Sequence, residues 1–119
     1  MKTFKYKFLD FALDAYLKCG YYTNGRIAIQ VIAADSDYNK ACDIEPGDQI
    51  VTVTTNLPDK PLAPGQVFVK TWSENEDMLM TLPPGLLVPV GFAPTGFVEA
   101  TIAVLDKNVL KQYLREGSK

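Results

Sequence analysis

Asp35, Asp37 and Asn39 alternate in the stretch DSDYN, the spacing with which a calcium-binding loop opens. The pattern then breaks. The sixth position of such a loop needs glycine for its sharp turn and holds Lys40, and the twelfth needs a bidentate glutamate and holds Pro46. With Asp43, Glu45 and Asp48 the stretch is an acidic loop, expected to be solvated and to hold no metal. Asp10 and Asp14 are the other carboxylates whose spacing suggests a general acid–base pair. On an alternating strand, however, both would sit on its outward face. No glycine cluster has the strand–helix context of a phosphate-binding loop, so no cofactor is expected.

The chain contains no histidine, which removes Ser-His-Asp and Cys-His catalysis, HExxH zinc sites and imidazole acid–base chemistry together. Cys19 and Cys42 lie far apart and fit no metal-ligand spacing; free thiols are expected. An enzyme is therefore not the expected class. Aromatic residues make the positive case. Tyr6, Tyr16, Tyr21 and Tyr22 interleave with Lys5, Lys7, Lys18 and Arg26. That mixture describes a protein-binding surface, where tyrosine and arginine are enriched. It also describes a platform on which single-stranded nucleic acid stacks. The net charge of −2 favours the protein partner. Tyr21, Tyr22, Arg26, Trp72 and Phe92 are the candidate contact residues.

The elements that must position these residues follow from periodicity. Over 119 residues, with 47% hydrophobic and 22% charged side chains, the composition is that of one globular domain. No stretch is apolar enough to span a bilayer, and the basic N-terminus is interrupted by Asp10 and Asp14; a cytoplasmic location is expected. Residues 4–22 alternate as a strand whose phase flips between Phe8 and Leu9, suggesting a bulge or corner. Leu9, Leu13 and Leu17 also fit a helical face, so residues 9–18 stay open between strand and helix. Asn24-Gly25 predicts a type I′ hairpin leading into a strand over 26–33, with Ile27, Ile29 and Val31 on one face. Further strands are expected in QIVTVTTNL, QVFVKT and from Phe97 to Val104. Pro46-Gly47 and Pro64-Gly65 each suit a type II turn, and residues 34–48 form a long polar connection.

The stretch FVKTWSENEDMLMT is the densest in distinctive side chains. Ser73 and Glu76 have the spacing of a capping box, with Glu74, Glu76 and Asp77 in the first turn of a short helix. Met78, Leu79 and Leu82 would bury it, and Pro83-Pro84 would stop it. Trp72 is then either a core anchor or part of a contact surface. GLLVPVGFAPTG reads as turn-rich, with three glycines and two prolines. Asp106 should cap a final helix from Lys107 to about Glu116, with Leu105 and Leu110 as hydrophobic staple and Gly117 at its end. The expected fold is α+β: a mainly antiparallel sheet of about five strands with two short helices, one at the C-terminus.

Three stretches, NGRIAIQVIA, VTVTTNLPDKPLAPGQVFVKTWSENE and PTGFVEATIAVL, carry a resemblance that spans nearly the whole chain from Asn24 onward. In them the chain resembles a family of small proteins, of undefined function, found in gut bacteria and their mobile genetic elements. The resemblance brings no catalytic signature and transfers no functional residue. It implies an intracellular accessory protein that binds a partner.

Overall fold

The computed structural model describes residues 2–8, 10–71, 78–96 and 98–114. Strand β1 (Phe4–Phe8) pairs antiparallel with β2 (Phe11–Tyr21), Phe8 standing opposite Phe11. The change of phase after Phe8 is thus a tight hairpin and no bulge in a single strand, and residues 11–18 are strand, not helix. Pairing across that turn sets even-numbered Tyr6 opposite odd-numbered Leu13, and both are buried. A turn of this kind must exchange the inward parity, because side chains opposite one another share a face.

The Asn24-Gly25 hairpin forms, but not as a type I′ turn. Gly25 alone takes positive φ (85°), and Asn24 does not. The Gly25 amide donates to the Tyr22 carbonyl (2.9 Å) and the Tyr22 amide to that of Arg26 (2.8 Å). This is the longer connection in which a turn is followed by a left-handed glycine. The Asn24 side-chain oxygen accepts from the Arg26 amide (3.2 Å) and so secures the loop from within. β3 (Ile27–Ala33) follows, with Ile29, Val31 and Ala33 fully buried, as its alternation predicts.

The polar connection holds a helix that composition hid. Ser36 caps α1 (Asp37–Ala41), its hydroxyl accepting from the Asn39 amide (3.0 Å). Asn39 is completely buried. Its amide group donates to the carbonyls of Asp14 (2.8 Å) and Ala34 (3.0 Å), and its oxygen accepts from the Asp14 amide (2.9 Å). The side chain with the spacing of a calcium ligand is therefore committed to backbone, and it clamps β2 to the end of β3.

β4 (Gln49–Thr52) completes a four-stranded sheet in the order β1-β2-β3-β4. A second sheet has the order β5-β7-β6, from β5 (Gln66–Val69), β6 (Leu87–Pro94) and β7 (Glu99–Leu105). Both sheets are antiparallel, so the α+β class holds while the described residues give seven strands instead of about five. The two extra strands are the separate β1 and the strand β6, where a turn-rich stretch was expected. Pro89 and Pro94 do not prevent β6 because it is an edge strand, where a missing N–H can face outward. The helices number three among the described residues, α1 being the addition to α2 (Met78–Thr81) and α3 (Lys107–Tyr113). Asp106 caps α3 as predicted, accepting from the amides of Asn108 and Val109. The helix nonetheless ends at Tyr113, because Leu114 turns extended and bridges to Leu17 of β2. The Ser73–Glu76 box, the strand start at Phe97 and the end at Gly117 lie outside the described residues.

The inner faces of both sheets feed one core. Tyr6, Leu17, Ile29 and Val31 meet Val67, Val69 and Leu105; Met78 and Leu110 come from the two later helices, and Leu82 directly follows the first of them. Tyr16, Ile32 and Ala34 form a separate small cluster, and Phe68, Ala93 and Ala100 another, with Leu57 and Leu62 of the proline loop packed on it. The clamp on Asp14 sets a clear expectation. Replacing Asn39 by Ala leaves the Asp14 N–H and the Ala34 C=O without a partner and the Asp14 C=O with one donor in place of two, and should cost about 2 kcal/mol in chemical denaturation. An unchanged midpoint would show that β2 and β3 hold together without it.

Candidate interaction surface

The five candidate contact residues do not converge. Tyr21 is exposed at the end of β2. Tyr22 is half-buried, its hydroxyl 3.1 Å from the Thr54 hydroxyl and 3.2 Å from the Thr54 carbonyl oxygen. Arg26 serves the fold. Its guanidinium donates to the carbonyls of Leu57 (2.7 Å) and Lys60 (2.5 Å) and lies 5.5 Å from the centre of the Phe68 ring. Two directed bonds from a planar fork explain why arginine stands there and why its charge faces a loop instead of solvent. Phe92 is 67% exposed, on the other sheet. Trp72 lies outside the described residues.

Nor do the tyrosines form a platform. Tyr6 is in the main core and Tyr16 in the cluster beneath α1, on opposite faces of the same sheet. Their inward and outward positions follow from parity, which the hairpin after Phe8 reverses.

The titratable groups that depart from their ordinary values each have a structural cause. Burial pushes the Tyr6 phenol up, and likewise the Cys19 thiol, which keeps Cys19 an unreactive core side chain. Asp35 beside Lys40 raises the lysine on an exposed surface. The Lys5 ammonium, hydrogen-bonded to Asp14, holds that carboxyl below the usual range. Asp10 stands apart in the hairpin turn, so the two aspartates form no pair. Both cysteines are free, Cys19 buried and Cys42 half-buried. Among the described residues no group of His, Cys, Asp or Glu is placed to hold a metal ion, and no helix is long and apolar enough to cross a membrane.

What the structure does expose is an apolar strip. From Met78 to Val98 no residue carries a charge, and this run forms the edge strand β6. Val88 and Val90 are each 53% exposed along it. Val88 stands opposite Val104 of β7, itself exposed, on the face away from the main core. A register shift between Pro89 and Gly91 throws Val90 out at the bulge. Phe92, opposite Thr101, lies on the other face and overhangs the edge. The apolar surface thus wraps around the strand. Sequence reasoning found Phe92 and missed the valines, since a stretch with prolines at 89 and 94 does not alternate as a strand should. The signal available was the absence of charge over so long a run. Comparison of the chain with protein-family models, with curated protein sequences and with solved structures finds no match.

The Asp14–Lys5 pair has a pH signature. The folded carboxyl is held below its unfolded value, so its contribution is complete above about pH 3.9 and is lost as pH falls through the lower folded value. The stability difference between wild type and Asp14→Asn should be constant from about pH 7 to about pH 5 and should shrink below about pH 3. A difference that persists unchanged into acid would contradict the pairing.

Proposed function

We propose that this chain is a small non-enzymatic interaction protein that binds a protein partner through the apolar strip on β6. The observation that carries this reading is the exposure of Val88, Val90 and Phe92 on a strand free of charge. Large apolar side chains grouped on a surface are the usual mark of an interaction site. An aromatic flanked by valines supplies the buried anchor that protein interfaces centre on. The prolines of β6 favour contact through side chains over strand addition, since Pro89 and Pro94 have no N–H to give a neighbouring strand.

The non-enzymatic half rests on the missing histidine and on the structural employment of Asp14, Tyr6 and Cys19. The resemblance to small proteins of gut bacteria and their mobile elements supports the role of an intracellular accessory factor. The single-stranded nucleic-acid reading draws less support, because Tyr6 and Tyr16 are buried and Arg26 is engaged.

The test is retention of a partner from the native cells by the tagged protein, before and after nuclease. Wild type should hold one protein in stoichiometric amount after nuclease. The Val90→Glu, Phe92→Glu double variant should lose it while melting within about 3 °C of wild type, as exposed substitutions do. Retention of the same protein by the double variant would remove β6 from the interface. Nucleic acid alone, released by salt, would favour the alternative.

A further inference from the structure

Among the described residues β1 is the other unpaired margin of the strand order, and it differs from β6 in having neither proline nor bulge. The direction of its backbone groups can be worked out. Asp14, opposite Lys5, has its N–H and C=O engaged by Asn39, and the C=O also accepts from the Ala34 amide. Lys5 and Asp14 are therefore a non-hydrogen-bonded pair, and the N–H and C=O of Lys5 point away from β2. By alternation those of Lys7 do the same. Four main-chain groups face the free edge.

Beside that edge lies an open groove of about 430 Å³. Phe4, Met80, Leu82, Pro83 and Tyr113 supply its apolar lining. Lys5 and Lys7 also border it, and among the described residues no acidic side chain does. Among the described residues Lys5 is paired with Asp14, and no carboxylate lies within ion-pair distance of Lys7. Edge lysines discourage the addition of neutral or basic strands. The same field favours an acidic one.

We infer that β1 takes up an extended peptide in which acidic and apolar residues alternate, added as a further antiparallel strand. Residues of the peptide opposite Lys5 and Lys7 share the lysines' outer face, where a carboxylate opposite Lys7 is matched. The residues between them lie on the inner face and enter the groove over Phe4, Leu82 and Tyr113. Main-chain bonds to Lys5 and Lys7 provide affinity, and the alternation provides specificity. This site is separate from the strip on β6, which contacts its partner through side chains.

The probe is a fluorescently labelled peptide, Val-Glu-Val-Glu-Val, titrated against the full chain and followed by anisotropy. Saturable binding that weakens with salt is expected, reduced several-fold to about tenfold by Lys7→Glu. The Val-Lys-Val-Lys-Val peptide should prefer the Lys7→Glu protein. The peptide N-methylated at both glutamates cannot donate to the edge and should not bind wild type. That control uses unaltered protein and stands even where Lys7→Glu fails to fold. Equal binding of the N-methylated peptide would overturn strand addition. Indifference to Lys7→Glu would overturn the charge match, and no saturation up to about 1 mM would overturn the site.

Discussion

Thr54 sits where the two sheets meet, and the rest of the structure hangs on how it is bonded. It is almost wholly buried, and its hydroxyl accepts from the Ile29 amide of β3 (3.1 Å). On either side of it the backbone changes allegiance. Val53 donates to the Ile29 carbonyl and accepts from the Lys70 amide, while Thr55 donates to Phe68 of β5 (3.0 Å). Thr54 itself bridges to Val69. A run of three residues is thus the last piece of one sheet and the first of the next. A valine would fit the same space, but it would leave the Ile29 N–H without a partner inside the protein.

This seam gives the strands a single order, β1-β2-β3-β4 and then β5-β7-β6, with β1 and β6 at its two ends. The margins are where a sheet must be protected or used. They are built differently. β6 is blocked along its backbone by proline and by a bulge, and it presents valine and phenylalanine side chains. β1 leaves the backbone groups of Lys5 and Lys7 unpaired among the described residues, and it carries lysine. Arg26 reinforces the join from outside, reaching from the β2–β3 hairpin of one sheet to the carbonyls of the loop that covers the other. Its position beside Tyr22, which bonds to Thr54, places both residues in the scaffold of the surface and not on it.

How much of this is legible in the sequence depends on how local the cause is. The Pro-Gly turns read correctly, because proline and glycine prescribe the two central conformations themselves. Gly47 and Gly65 take φ of 89° and 82°, and the closing amides of Asp48 and Gln66 donate as the type requires. The cap at Asp106 and the alternation of β3 are local in the same sense. β6 was hidden because prolines argue against a strand unless its place at an edge is known, and that is a property of topology. α1 was hidden because Asn39 finds its partners in β2, twenty-five residues away. Arg26 looked like a surface cation for the same reason. Its partners are more than thirty residues distant, and no periodicity encodes them.

The claim that matters most is that β6 meets a protein. Site-specific photo-crosslinking in the native cells tests it at the residue, with the crosslinking amino acid placed at Phe92 and, as a control, at Lys18 on the exposed outer face of the other sheet. A single discrete protein adduct from position 92, absent from position 18, is the result predicted here. No adduct at 92, or the same ladder of products from both positions, would contradict it.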